Sequence, residues 1–464
     1  MVSPPLGLMY LAAYAKICRP GKDLFTIIDE RIDPKSDTEW KKYILEFRPD
    51  IIAFSVLTHE SSRLKTLSSI LKKILPDVPI IAGGPYISSW GAKLVDTLDV
   101  DYYIKGEGEV PFVKLLGALE RKNNPSDDEI SGLVCKNKNN LIVDNPVKIE
   151  LPDINDLPFP SWELVDLDKY SKYDRMSPMK SLGRYAAIFT SRGCPYGCIY
   201  CHNIFGKRFR TMNPKRTVDE IEYLITEYGV HEFEIVDDIF NHDYNRALEI
   251  CDEIKKRGLI TRFSFPNGVR GDILDRKMIK ELHSVGTYYM VFAVESANER
   301  VQKYIHKNIN LCKIRENISI AVEEKISTGG FFMIGFPAET RKEIWNTLKF
   351  AIFSKLHIAS IFIVIPQAGT KIAEMCGMHL DADDAYATHY QFSKNTISGI
   401  SHIELSLTHI IGYLLFYLYP SRIIRIWKDW PGKYSNLIQM FKEFLLYVFY
   451  RRPKYAISSI FKKW

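Results

Sequence analysis

Three cysteines fall within one short run, Cys194-Pro195-Tyr196-Gly197-Cys198-Ile199-Tyr200-Cys201. Thiolates are the ligands of iron–sulfur clusters. A loop this short can wrap three thiolates round one cubane, which leaves the fourth iron without a protein ligand and open to a cofactor or substrate. A structural zinc ion is the alternative; it wants four protein ligands, and His202 would have to supply the fourth. The other cysteines, Cys18, Cys135, Cys251, Cys312 and Cys376, are scattered through the chain. They form neither a disulfide framework nor a second cluster motif, which points to a reducing compartment and a single metal site.

The elements that must position this loop read as alternating strands and helices. Over residues 1–125 the helical periods are Leu6–Lys16, Trp40–Phe47 and Ser62–Leu75, and the short β-rich runs are Leu24–Ile28, Ile51–Val56, Ile80–Ala82 and Val100–Ile104. Such alternation implies a doubly wound parallel sheet. Glycines close two of its strands, at Gly83-Gly84 and at Gly106-Glu107-Gly108-Glu109, and strand ends are where such sheets bind ligands. Residues 126–180 are rich in Pro, Asp and Asn and read as a linker with a small β excursion near Gly132–Val143. From 181 to 400 the strands Ala186–Thr190, Glu232–Val236, Arg262–Phe265, Tyr288–Val294, Gly330–Ile334 and Ile358–Val364 alternate with helices. Six such units make a partial (β/α)6 barrel, whose site is expected at the C-terminal strand ends. The cysteine loop follows the first of those strands.

With the aromatic Tyr200 before its last cysteine, the motif resembles the signature of the radical S-adenosylmethionine (SAM) superfamily. The resemblance implies a [4Fe–4S] cluster on Cys194, Cys198 and Cys201, with the open iron chelated by SAM. It further implies reductive cleavage of SAM to a 5′-deoxyadenosyl radical, driven by an external one-electron reductant of flavodoxin or ferredoxin type. Four further strand ends are similar to that superfamily's cofactor positions. Asp237-Asp238 would face the methionyl ammonium, and Arg270 the carboxylate through its planar fork. Glu295, with Ser296, would accept the ribose hydroxyls, although Ala293 stands where the family has glycine. Gly335 would let backbone approach the adenine. Helix caps, strand-end turns and a surface ion pair are the structural alternatives for these residues.

The N-terminal region looks like the cobalamin-binding domain of class B radical SAM enzymes. Pro5-Leu6-Gly7-Leu8-Met9-Tyr10, Gly83-Gly84-Pro85, Gly106-Glu107-Gly108-Glu109 and Asp156-Leu157-Pro158-Phe159-Pro160-Ser161-Trp162 carry the likeness in order. It assigns Ser55, Thr58, Gly83, Gly84, Gly106, Glu107, Gly108 and Glu109 to cobalamin. Two departures stand out. The Asp-x-His-x-x-Gly motif that gives cobalt a histidine is absent, and the chain begins at the first helix, so the family's opening strand and its Asn-Pro-Pro-like loop are missing. A sheet without that strand is expected to leave an edge or two neighbours uncovered.

Residues 401–464 hold ten Lys and Arg against three Asp and Glu, and the chain's whole formal charge is +6. That balance is too mild to argue for nucleic acid. The stretch is also dense in Tyr, Phe and Trp, which suggests a helical extension that either caps the barrel or touches a membrane surface peripherally. No signal peptide is evident, and no run reaches the roughly 18–20 apolar residues of a membrane span. The expectation is a cytoplasmic enzyme, peripheral at the inner membrane surface, that acts on a small-molecule or lipid-like substrate. Methyl transfer to an unactivated carbon is its expected reaction. Non-methylating radical chemistry is the alternative within the enzyme class, and a non-catalytic cobalamin or metal scaffold the alternative outside it.

Overall fold

The computed structural model describes residues 2–127, 129–151, 153–179, 181–202, 204–377, 396–429 and 442. The first sheet holds β1 (Ile52–Ser55), β2 (Ile80–Gly83), β3 (Tyr102–Ile104), β4 (Leu133–Lys136) and β5 (Ile142–Asp144), hydrogen-bonded in that order. β1 to β3 are parallel, whereas β4 and β5 run antiparallel. Side chains on successive strand residues point to opposite faces. Ile80 and Ala82 pack towards α2 (Asp37–Phe47), α3 (Ser61–Ile74) and α4 (Pro85–Trp90), while Ile81 packs towards α1 (Leu6–Cys18) and α5 (Glu109–Glu120). Both faces are thereby covered, as the doubly wound reading requires.

Two readings of this region change. Leu24–Ile28 forms no strand, and Leu24 is 90% exposed. β-propensity yields a strand only where a neighbour offers a ladder, and none of the described strands pairs with this segment. β1 is accordingly the edge of the sheet, with Ala53 and Ser55 exposed instead of buried. The second change concerns the excursion at Gly132–Val143, which is no separate piece. It is the β4–β5 hairpin, and it extends the first sheet through β3.

After the short helix α6 (Leu167–Tyr170) comes a six-stranded parallel sheet of β6 (Tyr185–Ile188), β9 (Glu232–Ile235), β10 (Arg262–Val269), β11 (Thr287–Glu295), β12 (Ser327–Ile334) and β13 (Ile358–Ile363). The strands lie side by side in chain order, and β6 does not pair with β13, so the barrel stays open. A two-stranded ladder of β7 (Ser191–Arg192) and β8 (Arg210–Thr211) stands on the end of β6. The covering helices are α7 (Pro214–Tyr228), α8 (Tyr244–Lys256), α9 (Arg276–Ser284), α10 (Glu299–Tyr304), α11 (Leu311–Glu323) and α12 (Arg341–Phe353). Five of them begin at a side-chain cap: Asn213, Asp243, Asp275, Asn310 and Thr340 each accept from a first-turn amide. Each such cap stabilises by about 1 kcal/mol. Phe233 and Ile235 of β9 pack outwards into this helical core. Glu232 and Glu234 point the other way. There Arg175 binds Glu232 and the Tyr288 hydroxyl, and the Ser177 amide donates to Glu234 at 2.8 Å.

Beyond α13 (Lys371–Met375), α14 (His402–Tyr417) lies along β13, and α15 (Pro420–Asp429) follows. A sheet edge exposes unpaired backbone groups. Here His409, Tyr413 and Tyr417, successive on one helix face, reach the backbone of Ile361 and Ala359. The expected extension is thus helical as far as Asp429, and the aromatic run around Phe444–Tyr450 lies outside the described residues. None of the described helices is long and apolar enough to cross a membrane.

Candidate functional site

The cysteine loop is an excursion between β7 and β8, and its entry requires glycine. Gly193 has φ +84°, and a Cβ there would lie 2.3 Å from the Arg208 carbonyl oxygen. Two residues between the cysteines anchor the loop. Ile199 is buried against Val301, Ile305, Phe336, Val364 and Ile372, and its amide donates to the Ile305 carbonyl at 3.1 Å. Tyr200 is half-buried with its ring 5.9 Å from that of Phe336, and its hydroxyl is 3.3 Å from Lys307 Nζ.

None of the three cysteines is in a disulfide. Desolvation, then the Cys198 and Cys194 sulfurs, push the Cys201 thiol up to about 12. Desolvation also raises the Cys194 thiol. Thiolates form here only if a cationic centre compensates them, and the irons of a cluster are such a centre. Among the described residues no three His, Cys, Asp or Glu side chains are grouped closely enough to hold one metal ion. Zinc draws each sulfur to about 2.3 Å. A cubane instead puts each thiolate on its own iron, and three soft donors on one anchored loop fit that group.

The two acids that follow β9 have separate roles. Asp237 accepts from the Thr190 amide, the Thr190 hydroxyl and the Ser191 hydroxyl, each at 2.6 Å, and is buried. It locks the start of the cysteine loop. Among the described residues Asp238 accepts from the Gly193 amide, at 3.2 Å, and it is otherwise exposed. Desolvation raises its carboxyl above the usual range. Arg270 stacks over the ring of Tyr196 at 3.8 Å and pairs with Asp272 at 3.1 Å, so it braces the loop from the third strand.

Glu295 ends β11 with φ +63°, beyond a register shift against β12. Such strain in a non-glycine residue costs about 1–3 kcal/mol and concentrates at functional positions. The carboxylate is buried and takes a hydrogen bond of 3.0 Å from Lys307. Ser296 turns away from the site, with its hydroxyl 3.3 Å from that of Thr347 on α12. Gly335 does adopt a left-handed φ of +88°, but a Cβ there would meet Leu405 of α14 at 3.1 Å. Its amide donates to Glu339 at 2.7 Å, and burial pushes that carboxyl up to about 7.

The N-terminal glycines gather at the C-terminal ends of β1 to β3. Gly84 has φ +93°, and a Cβ there would lie 2.7 Å from the Val56 amide nitrogen. The turn into α4 is therefore pressed against the end of β1, beside the exposed Ser55 and the half-buried Thr58. Only glycine fits this close approach of the turn to the end of β1. Gly106 likewise has φ +75°, and its amide donates to the Ser88 hydroxyl at 3.0 Å. Glu107 and Glu109 face the barrel, where their carboxylates meet Arg192 and Arg210 beside the cysteine loop.

Lys307, Arg192 and Arg210 were not singled out in the sequence. Lys307 sits in a tight turn between His306 and Asn308, which both have positive φ; a polar run between two helices is the only sequence sign of it. Arg192 stands two residues before the first cysteine, and this proximity was its one signal.

An open parallel barrel with a thiol-rich loop at its strand ends, held against a Rossmann-like sheet with glycine strand ends, defines a two-cofactor enzyme class. The comparisons place it further. Residues 188–351 match the Radical SAM superfamily and residues 1–116 the B12 binding domain. The chain is 30% identical over 457 residues to "Uncharacterized methyltransferase PH0819" of Pyrococcus horikoshii, covering 97% of this chain and 94% of that one. It is 27% identical over 375 residues to the cytidylyl-2-hydroxyethylphosphonate methyltransferase of Streptomyces wedmorensis, covering 74% and 69%. The fold resembles that of the radical SAM methyltransferase TsrM from Kitasatospora setae, with TM-score 0.66 and 16% identity over 81% of this chain and 73% of that one. The chain belongs to the cobalamin-binding-domain family of radical SAM enzymes, whose cofactors are a [4Fe–4S] cluster, SAM and cobalamin.

Proposed function

We propose that the protein transfers a methyl group from SAM to an unactivated carbon of a small molecule. The observation that carries this reading is the direct contact between the two cofactor-facing strand ends, where Arg192 of the cysteine loop's stem meets Glu109 of the glycine loop at 2.6 Å. When bound, the cluster would supply the electron that splits SAM and cobalamin would carry the methyl group. The chain's own part is to hold and orient. Cys194, Cys198 and Cys201 take the cluster, Asp238 holds the ammonium of SAM, and Glu295, oriented by its hydrogen bond from Lys307, accepts the ribose hydroxyls. Ser55, Thr58, Gly83 and Gly84 present backbone and small side chains to cobalamin. The electron comes from an external one-electron donor of flavodoxin or ferredoxin type. Anaerobic incubation of the cofactor-loaded enzyme with methyl-labelled SAM and candidate substrates is expected to move label into product. Deoxyadenosine release with unlabelled product would instead mean a radical rearrangement or cyclisation.

A peripheral membrane contact is proposed for the extension. Ile403, Leu407, Ile411 and Leu415 recur every fourth residue along α14 and are between 42% and 70% exposed. Residues 401–464 carry ten basic against three acidic side chains, a balance that suits anionic headgroups. The full chain is expected to co-sediment with vesicles containing phosphatidylglycerol and to be released by high salt. Failure to sediment at low salt would exclude the contact.

A further inference from the structure

The neck of the cysteine loop is gripped by carboxylates from the other domain. β7 and β8 pair antiparallel with Arg192 opposite Arg210, so the excursion that carries all three cysteines leaves and returns between two arginines. Both reach Glu107. Arg192 Nη1 lies 2.8 Å from Glu107 Oε2, and Arg210 Nη1 lies 3.2 Å from the same oxygen. Arg192 Nη2 also takes Glu109, at 2.6 Å. The side chains of Arg192 and Arg210 are each 3% exposed, and two cations face two anions. The Arg192 guanidinium lies 5.3 Å from the ring of Tyr10 on α1 and 5.0 Å from that of Phe205 within the cysteine loop.

Glu107 and Glu109 alternate with Gly106 and Gly108 at the end of β3. The turn is packed by its own chain, since a Cβ at Gly106 would lie 2.7 Å from Val147 and one at Gly108 3.0 Å from Leu11, and the glutamates are its grip on the barrel. A group bound across the C-terminal ends of β1 to β3 lies beside this turn, which the four charged side chains tie to the neck of the cysteine loop. Charge-assisted and forked contacts of this kind are strong and directional, so they tie the orientation of the turn to that of the loop's neck.

We propose that Arg192 is a positioning residue that couples occupancy of the N-terminal ligand site to the affinity of the cysteine loop for SAM. This rests on the two-cofactor reading above, since it needs both sites to be loaded. Linkage between two sites of one chain commonly amounts to about fivefold or more and is reciprocal.

The test uses full-length protein with its cluster reconstituted anaerobically, and it measures the SAM dissociation constant by equilibrium dialysis with and without hydroxocobalamin. Wild type is expected to bind SAM about fivefold more tightly with cobalamin present. In Arg192→Gln and Glu109→Gln the ratio is expected to fall to about one, with iron per chain unchanged because every cysteine remains; Arg192→Lys, which keeps the charge but loses the fork, should be intermediate. If Arg192→Gln does not fold, the isosteric Glu109→Gln carries the measurement. A variant ratio equal to that of wild type, or a wild-type ratio of one, overturns the coupling alone. A wild-type chain that binds SAM but no cobalamin overturns the reading of the N-terminal domain, and the coupling with it.

Discussion

Cys198→Ala protein, reconstituted with iron and sulfide in the absence of oxygen, is expected to lose its cluster and with it SAM cleavage. The loss should exceed about a hundredfold, the upper range for removing only an outer partner of a metal ligand, because here a ligand itself is gone. The fold should survive. Ile199 anchors the loop from inside the motif through its apolar cluster and its amide bond to Ile305; the Cys198 sulfur adds only its contacts with the Tyr200 side chain and, at 4.0 Å, the His306 carbonyl oxygen. The Asp237 bonds to Thr190 and Ser191 at the loop's start are likewise untouched. Far-ultraviolet circular dichroism should therefore match wild type while iron content and deoxyadenosine release collapse. Cys312→Ala, at an exposed cysteine on α11, is the matched control and should keep both. Cys198→Ala protein with full iron content and undiminished SAM cleavage would contradict the three-thiolate centre.

Hydrophobic periodicity exposed most of this architecture in advance. The helices Leu6–Cys18, Asp37–Phe47, Ser61–Ile74 and Tyr244–Lys256 lie within a few residues of their sequence periods, as do all six barrel strands. Local pattern suffices there because each element buries one face against one partner. β12 starts at Ser327, three residues before the Gly330 at which the sequence pattern opens it. A Cβ at Gly329 would lie 2.5 Å from the Tyr289 hydroxyl oxygen, and glycine inside a strand marks such close approaches. Where the sequence misled, the deciding partner was distant. Leu24–Ile28 has the right propensity and no ladder. Glu107 and Glu109 read as ligand residues because their glycines do, yet their carboxylates turn to arginines more than eighty residues away in the chain. Gly335 has the freedom of backbone expected of it, but the close neighbour is Leu405 of the C-terminal extension. The Cys loop itself was visible because its chemistry depends on spacing within one short segment.

The extension reads in sequence as a helix that either caps the barrel or touches a membrane; one of its cations points inward, and removing it should have a large effect. Arg422 is fully buried on α15. Its guanidinium donates to the carbonyls of Ala351, Ile352, Ser354, Leu356 and Phe416 at 2.8 to 3.1 Å and lies 3.4 Å over the Phe416 ring. Ala351 and Ile352 belong to the last turn of α12, where a cation is favoured; the Ala351 carbonyl also accepts from the amide and hydroxyl of Ser354. Arg422→Ala leaves several of these carbonyls unsatisfied in a closed space, at about 1–3 kcal/mol for each one that water cannot reach. A loss of roughly 3–5 kcal/mol is expected, comparable to breaking a buried ion pair. Arg422→Lys should recover only part of it, since an ammonium has three donors on one point and cannot span five carbonyls. The damage should spread along α14 to the site, because α14 covers the β13 edge and places Leu405 against Gly335. Urea unfolding followed by limited proteolysis after residue 396 should show early release of α14 and α15 in Arg422→Ala, with the iron content of the folded protein unchanged. Proteolysis and urea midpoints indistinguishable from wild type would mean that the extension is held by its apolar contacts alone and that Arg422 is dispensable to it.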